Sequence, residues 1–317
     1  MKLAESITVC EVGLRDGLQI EKQILSAAQK LELIHGLEEA GVKVIEVGSF
    51  MNPKAVPQMA NTDEVFRSLT QLPGVEYRAL VGNVKGVQRA VDCGCRKVKL
   101  NISASKGHCL ANLNKLPMEQ MKTFAPSVAL AHENSVQVSG SIACPFGSPW
   151  DESIPLSDIC EIIDAYLAAG VNEISISDAP GVAMPKQVYE LMGELKARYP
   201  QCKFILHFHN TRGMGIANIM AGMEAGVTWY DSSLAGTGGC PFVPGAAGNV
   251  STEDIINMCD AQGIKTGIDL DRIIDLGHTL EEYMGHQGGS AVLRAGKNKG
   301  ILLRMPTGQG ENPTLKR

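Results

Sequence analysis

Stretches with the pattern of a buried strand alternate with helical stretches along most of the 317 residues. Eight strand–helix units follow one another at a spacing of roughly 30 residues. Such alternation favours a parallel sheet with right-handed crossovers, and eight units fit a closed (β/α)8 barrel. An open, doubly wound sheet would instead carry Gly-x-Gly-x-x-Gly after its first strand, where this chain has Gly-Leu-Arg-Asp-Gly at residues 13–17. We therefore predict one (β/α)8 TIM barrel with an appended C-terminal helical segment.

The predicted barrel domain spans residues 1–284 and includes a last helix at 271–283, and residues 285–317 form a C-terminal tail without clear periodicity. Ser26 and Ser157 each precede an apolar helical pattern and are predicted N-caps. One long helix is predicted at 118–134. The predicted strands cover residues 7–12, 42–47, 76–81, 97–102, 137–143, 173–177, 204–209 and 229–233.

Charge and composition exclude several classes of partner. The net charge of −5 gives no electrostatic reason to expect nucleic acid or an anionic membrane as a partner. No apolar run is long enough for a membrane span. The first residues lead into a strand pattern without a signal-peptide core, and the nine cysteines are irregularly spaced without Cys-x-x-Cys. We expect a cytoplasmic protein with reduced thiols.

His207 and His209 end the seventh predicted strand and point to the same face, because side chains alternate along a strand. In a barrel the carboxyl ends of the strands meet at one mouth, where strands 1, 7 and 8 are neighbours. Asp16 after strand 1 and Asn249 after strand 8 can therefore meet the two imidazoles at one point. This donor set suits octahedral Mg²⁺ or Mn²⁺ with open positions, whereas a structural zinc site would hold more sulfur.

The other polar residues at the mouth leave alternatives open. Glu46 could form a strand-end salt bridge with an arginine, and Asp16 and Asn249 could serve only to shape their loops. Cys240 lies in a glycine-rich loop, where it is either a buried small residue or, if its pKa were lowered, an acid–base group. Further polar side chains at the same mouth are Arg15, Gln19, Ser49 and Asp178.

Five segments carry long, specific motifs: residues 11–19 (Glu-Val-Gly-Leu-Arg-Asp-Gly-Leu-Gln), 45–50 (Ile-Glu-Val-Gly-Ser-Phe), 53–59 (Pro-Lys-Ala-Val-Pro-Gln-Met), 207–209 (His-Phe-His) and 231–254, which contains Gly-Thr-Gly-Gly-Cys-Pro-Phe. Together they resemble 3-hydroxy-3-methylglutaryl-CoA lyase, in the group of DRE-TIM metallolyases. The resemblance covers residues 5–280. The Asp, Arg and Glu for which the group is named look like Asp16, Arg15 and Glu46.

The resemblance implies a divalent-metal-dependent carbon–carbon lyase that cleaves 3-hydroxy-3-methylglutaryl-CoA into acetoacetate and acetyl-CoA, as in leucine degradation and ketone body formation. It implies that Arg15 stabilises the acetyl-CoA enolate and that Glu46 orients Arg15. Asp16 or His207 would take the hydroxyl proton, and Cys240 would help to protonate the enol carbon or close the site. Candidate substrate contacts are Arg15, Gln19, Ser49, Ser175 and Asp178.

One departure from the family pattern falls at residues 210–213. The lyases carry Asp-Thr-Tyr-Gly after the metal pair, and this chain has Asn-Thr-Arg-Gly. Arg212 is therefore either a substrate contact for a second carboxylate or a phosphate, or a surface arginine. A related 3-hydroxyacyl-CoA, such as a citramalyl- or isoprenoid-derived glutaryl-CoA, is an alternative substrate. A condensing enzyme or aldolase of the same superfamily is an alternative enzyme, and the resemblance suggests a homodimer.

Overall fold

Eight parallel strands close into a barrel in the computed structural model, which describes residues 3–239 and 247–297 and, at residues 112 and 113, the backbone alone. Each strand pairs with the next in chain order, and the first pairs with the last. The predicted TIM barrel is confirmed. The strands are β1 (Thr8–Glu11), β2 (Val44–Ser49), β3 (Glu76–Val81), β4 (Lys97–Ser103), β5 (Gln137–Ala143), β6 (Glu173–Asp178), β7 (Lys203–Phe208) and β8 (Trp229–Ser232).

Helices follow the strands and pack against the outer face of the barrel. Within the described ranges, none of them is long and apolar enough to cross a membrane. The helices are α1 (Ala27–Glu39), α2 (Thr62–Ser68), α3 (Val84–Asp92), α4 (Lys106–Leu113), α5 (Pro117–Lys122), α6 (Ala125–Glu133), α7 (Leu156–Ala168), α8 (Pro185–Arg198), α9 (Gly215–Glu224), α10 (Thr252–Gln262), α11 (Leu270–Met284) and α12 (Ala291–Ala295).

The single helix predicted at 118–134 is wrong. The chain ends α5 at Lys122 and starts α6 at Ala125, with Pro126 in the first turn of α6. Proline lacks the N–H that a helix interior needs but is tolerated in a first turn, so the helix restarts there. The loop predicted before this region contains α4, which begins where Ser105 Oγ accepts the His108 N–H at 3.0 Å.

Apolar packing is divided between the outside and the inside of the barrel. The larger cluster fills the space between the sheet and the helices. A much smaller cluster consists of Cys10, Val44 and Ile205, against which Trp229 packs. Their neighbours along the strands belong to the larger cluster, so these four side chains point inward. The described interior of this barrel therefore holds little apolar material.

The predicted C-terminal helical segment is confirmed, and the chain continues past it with further contacts. Gly285 ends α11 in the left-handed conformation. Ser290 then caps α12, whose Val292 is buried, and the Asp254 carboxylate of α10 accepts the Val292 N–H at 2.8 Å. Because α12 spans little more than one turn, it leaves no periodic pattern in the sequence. A domain boundary after residue 284 stays a prediction.

Two serines that both look like helix caps differ in the structure. Ser26 forms a capping box with Gln29, whose N–H it accepts at 3.2 Å and whose Oε1 accepts the Ser26 N–H at 2.9 Å. The predicted cap at Ser157 is wrong, because α7 begins at Leu156 with Pro155 as its N-cap. Ser157 is exposed within the first turn.

We expect Ser26→Ala to lower the free energy of unfolding by about 1 kcal/mol, because the hydrogen bond from the Gln29 N–H to Ser26 Oγ is lost. Ser157→Ala, the matched control, is expected to change it by less than about 0.5 kcal/mol. Urea denaturation followed by circular dichroism measures both. Equal losses in the two variants would contradict the difference in capping.

Candidate active site

Asp16, His207 and His209 meet at the carboxyl-terminal mouth of the barrel. Asp16 lies in the short helical turn Gly13–Gly17 after β1, His207 lies in β7, and His209 directly follows β7. The Nε2 atoms of His207 and His209 lie 3.7 and 3.3 Å from Asp16 Oδ2. One ligand atom from each residue lies within 4.8 Å of the others, a spacing that a single divalent cation can bridge.

Both imidazoles are oriented through their other ring nitrogen. His207 Nδ1 lies 3.2 Å from Asp231 Oδ2, and His209 Nδ1 lies 3.3 Å from the carbonyl oxygen of Ala247. These acceptors favour the proton on Nδ1, which leaves the Nε2 lone pair facing Asp16. Metal-binding histidines are commonly held in this way.

Asn249 joins the cluster because the chain that returns after β8 forms an antiparallel bridge with the end of β7, between Asn249 and His209. Asn249 Nδ2 donates to Asp16 Oδ2 at 2.8 Å and to the carbonyl oxygen of Thr237 at 3.0 Å. Asn249 Oδ1 is buried and has no hydrogen-bond partner among the described residues. A buried oxygen without a partner is unfavourable unless something binds it, so Asn249 Oδ1 is a candidate fourth ligand beside the three residues that can share one divalent cation.

Arg15 lies beside this cluster and joins two carboxylates. Its Nε donates to Glu46 Oε1 and its Nη1 donates to Asp16 Oδ1. Burial alone would raise the pKa of both carboxyls, but the adjacent cations, Arg15 first, hold the pKa of Asp16 well below its usual value and lower the pKa of Glu46 to about 2. Both carboxylates are therefore ionised at neutral pH, and the strand-end salt bridge that was one interpretation of Glu46 is present.

Sequence reasoning did not single out three buried charged residues that continue this network inside the barrel. Lys99 Nζ lies 2.6 Å from Glu46 Oε2 and 3.3 Å from Asp231 Oδ2. Arg78 Nη2 lies 2.8 Å from Asp231 Oδ1, and its Nε lies 3.4 Å from Glu46 Oε2. The only signal in the sequence was charged residues alternating with apolar ones in β3 and β4, a pattern equally typical of strands with one solvated face.

Two buried carboxyls hold the start of the glycine-rich loop that follows β8. Glu11 Oε1 accepts the Leu234 N–H at 2.9 Å, and Glu253 Oε1 accepts the Ala235 N–H at 2.8 Å. Ala235 has a φ of 56°, an unfavourable conformation for a residue with a Cβ, and these bonds help to fix it. Burial raises the pKa of Glu11 to about 7 and that of Glu253 to about 8, so Glu253 is largely protonated at neutral pH.

Three predicted substrate contacts lie on strands of the mouth. Ser49 ends β2, is fully buried, and its Oγ has no partner within the described part of the chain. Ser175 Oγ donates to Asp231 Oδ2 at 3.4 Å. Both carboxylate oxygens of Asp178 accept backbone N–H groups of the loop after β6, at 3.0 and 2.9 Å, so this side chain also shapes that loop.

The remaining predicted site residues lie on loops. Gln19 is half-buried in a single helical turn just after Asp16. Arg212 Nη1 donates to the carbonyl oxygens of Pro180 and Gly181 at 3.2 and 3.0 Å, so it connects the loops after β7 and β6. Cys240 lies outside the described residues.

Comparison with known proteins relates the chain to lyases of one family. The model of the HMGL-like family matches residues 6–280. The chain is 36% identical over 295 residues to the 3-hydroxy-3-isohexenylglutaryl-CoA/hydroxy-methylglutaryl-CoA lyase of Pseudomonas aeruginosa, which covers 93% of this chain and 98% of that protein. It is 34% identical to the mitochondrial hydroxymethylglutaryl-CoA lyase of Homo sapiens, over 92% of this chain and 90% of that protein.

Solved structures give the same result. An HMG-CoA lyase from A. baumannii, in complex with coenzyme A and 3-methylmalate, superposes with a TM-score of 0.90 at 37% identity, covering 96% of this chain and 100% of that chain. The hydroxymethylglutaryl-CoA lyase from Pseudomonas aeruginosa superposes with a TM-score of 0.90 at 36% identity, covering 93% and 98%.

We expect His209→Ala to weaken Mn²⁺ binding by at least about 100-fold, because it removes one of two imidazole ligands. Even the loss of a residue that only hydrogen-bonds to a metal ligand commonly lowers metal affinity by about 10- to 100-fold. Electron paramagnetic resonance of free Mn²⁺ in a titration measures the affinity. The control is His35→Ala, which removes an exposed imidazole beside Glu38 on α1. Unchanged affinity in His209→Ala would contradict the site.

Glu253 makes stability depend on pH with a definite sign. Its folded pKa of about 8 lies above the usual value of 4.5, so the folded state binds the extra proton and stability falls as pH rises from about 4.5 to 8. We expect Glu253→Gln to match the wild type near pH 5 and to be more stable by about 3 to 5 kcal/mol near pH 9.

Thermal and urea unfolding at the two pH values measure this difference. The control is Glu224→Gln at the exposed end of α9, which should change the free energy of unfolding at neither pH. A Glu253→Gln variant that is less stable than the wild type at pH 9 would mean that the ionised carboxylate is the stabilising form.

Proposed function

The chain belongs to the HMGL-like family, and from this membership we propose that it is a divalent-metal-dependent carbon–carbon lyase that cleaves 3-hydroxy-3-methylglutaryl-CoA into acetoacetate and acetyl-CoA. The observation that carries the proposal is the cluster of Asp16, His207 and His209 with the Arg15 guanidinium next to it. A cation site and a permanent positive charge at one barrel mouth suit the formation of an enolate from a hydroxyacyl thioester.

In this proposal Asp16, His207, His209 and Asn249 hold the metal ion. A divalent cation held there supplies positive charge that makes the tertiary hydroxyl of the substrate easier to deprotonate. Asp16 takes that proton while the carbon–carbon bond breaks, because His207 carries a proton on Nδ1 and its Nε2 lone pair is used for the metal ion. The hydrogen bond from His207 Nδ1 to Asp231 keeps the Nε2 atom turned toward the reacting group.

Arg15 is proposed to stabilise the enolate oxygen of acetyl-CoA as negative charge develops on it. Its guanidinium keeps its charge at any working pH, and it is only 9% exposed, so its field acts in a poorly solvated site. Glu46 accepts from Nε and thereby sets the plane of the guanidinium. The side chain is thus in place before the charge forms, which is the condition for electrostatic stabilisation to be effective.

The pocket residues are assigned by position. The buried hydroxyl of Ser49 has no hydrogen-bond partner among the described residues, so it is proposed to bind a polar group of the substrate. Gln19, Ser175 and Asp178 are further proposed contacts at the same mouth. We also propose that Cys240 protonates the enol carbon or closes the site, on the basis of its place in the family motif alone.

A second candidate substrate is a related 3-hydroxyacyl-CoA. The relative from Pseudomonas aeruginosa is named for both an isohexenylglutaryl-CoA and hydroxymethylglutaryl-CoA. Arg212 stands where the family carries a tyrosine, and it could contact a second carboxylate or a phosphate through the nitrogen atoms that do not bind the loop after β6. Condensation or aldol cleavage by the same site is a more distant alternative.

We further propose that the bound ion is Mg²⁺ or Mn²⁺, because mixed nitrogen and oxygen ligands without sulfur suit these metals. A cytoplasmic location, expected from the irregularly spaced cysteines without Cys-x-x-Cys, stands as a proposal. A homodimer and a part in leucine degradation or ketone body formation rest on the family resemblance and are proposals too.

Purified protein supplied with Mg²⁺ or Mn²⁺ is expected to release acetyl-CoA from 3-hydroxy-3-methylglutaryl-CoA. Arg15→Lys keeps the charge but loses the planar group that donates to Glu46 and Asp16 at once. We expect its kcat to fall by at least about 100-fold. A coupled assay of acetyl-CoA measures both, and Arg67→Lys on the exposed side of α2 is the control.

The outcomes separate the parts of the proposal. Turnover of a different 3-hydroxyacyl-CoA, with none of this substrate, would contradict the named substrate and leave the lyase chemistry in place. Full activity after chelation of divalent metals would contradict the role of Asp16, His207, His209 and Asn249. Full activity of Arg15→Lys would remove Arg15 from the mechanism.

A further inference from the structure

Each of two functional side chains is bound to a carboxylate in the barrel interior. Glu46 on β2 accepts from Arg15, and Asp231 on β8 accepts from His207. Glu46 is 0% and Asp231 is 3% exposed, so water cannot replace either contact. The positions of these two carboxylates therefore decide where the guanidinium and the imidazole lie.

Lys99 lies between the two carboxylates. Its Nζ is 2.6 Å from Glu46 Oε2 and 3.3 Å from Asp231 Oδ2, and the side chain is almost fully buried. Arg78 contacts the same pair from β3, at 3.4 Å and 2.8 Å. Two like-charged carboxylates in a poorly solvated interior repel each other unless a cation separates them, so the distance between them depends on these contacts.

We propose that Lys99 is a positioning residue that sets the distance between Arg15 and His207 by holding Glu46 and Asp231 apart at a fixed separation. The inference rests on the proposed function only in taking Arg15 and His207 as working groups. It assigns a part in the reaction to a side chain that touches neither the substrate nor the metal ligands, and that acts through the two carboxylates.

The chain supplies its own control two residues away. Lys97 lies on the same strand and the same face as Lys99, is 6% exposed, and also bridges two carboxylates. Its Nζ lies 2.8 Å from Glu76 and 2.8 Å from Glu173, and neither of these contacts Arg15 or His207. Loss of either ammonium removes one buried cation from the barrel interior. Only Lys99 contacts the carboxylates that orient the site directly, whereas Glu76 and Glu173 reach them through Arg78 Nη1, at 3.9 and 3.7 Å.

The experiment compares Lys99→Met with Lys97→Met. Methionine keeps most of the length of the lysine stem and removes the charge and the donors. Three quantities are measured for each variant and the wild type: the melting temperature, the Mn²⁺ affinity of the metal-free protein by electron paramagnetic resonance, and kcat and KM for the thioester.

The sign of the change in Mn²⁺ affinity separates positioning from simple charge. Removing a nearby cation would by itself strengthen the binding of a divalent ion, because less repulsion remains. Losing the alignment of His207 weakens it. We expect Lys99→Met to bind Mn²⁺ about 10-fold more weakly and to lower kcat by about 10- to 100-fold with KM within about threefold. Lys97→Met should lower the melting temperature alone.

Two results would overturn the proposal. One is Mn²⁺ affinity and kcat in Lys99→Met that are unchanged or increased. The other is an equal loss of affinity and kcat in Lys97→Met, which would mean that any missing cation in the interior has the same effect. If Lys99→Met does not fold, Lys99→Gln, which is shorter than lysine and uncharged, is judged by the same two criteria.

Measurements on the wild-type protein test the proposed function separately from the role of Lys99. Wild-type protein that binds no Mn²⁺ would contradict the metal site itself. Wild-type protein that binds Mn²⁺ but does not turn over the named thioester would contradict the substrate, and the affinity comparison would still test Lys99.

Discussion

The pairing of buried charges inside the barrel is the constraint on which the site depends. Barrel interiors are usually filled by layers of branched apolar side chains. Here Lys99, Arg78, Glu46 and Asp231 occupy that space beside a small apolar cluster. A buried charge is strongly destabilising unless an opposite charge and hydrogen bonds satisfy it, so each of these side chains is held by the others. Arg15 and His207 take their orientation from this arrangement, because each is bound to one of its carboxylates.

The fold could be predicted because its signals are local. The strands Glu76–Val81 and Gln137–Ala143 were predicted to the residue, since turn-forming residues such as Gly74, Asn83 and Pro145 lie close to their ends. Errors arose where two local signals compete. At residues 118–134 the apolar pattern continues without a gap, whereas the helix breaks after Lys122 and restarts at Ala125, just before Pro126. Before α7, the serine at 157 has the right residue type for a cap, but Pro155 has the extended backbone and starts the helix two residues earlier.

Part of the candidate site could also be predicted from the sequence. Asp16 follows β1, and His207 and His209 lie at the end of β7, with only β8 between these strands, so the topology of a closed barrel brings them together. The contact between Lys99 and Asp231 could not be predicted, because these residues meet across the barrel and are 132 positions apart in the chain. No rule of strand order says which side chains touch through an interior, and a charged residue that alternates with apolar ones looks the same whether it faces water or a buried partner.

The predicted metal ligands stand at opposite ends of the path that the chain takes around the barrel. Asp16 follows the first strand and Asn249 follows the last, 233 positions later, and β1 and β8 form the seam at which the sheet closes. A ribosome must therefore release nearly the whole barrel before these side chains can meet. An ion held by both residues would bind only the closed barrel. Its binding energy would therefore stabilise the pairing of β1 with β8. In a cell short of the metal, the closed barrel would lack this added stability.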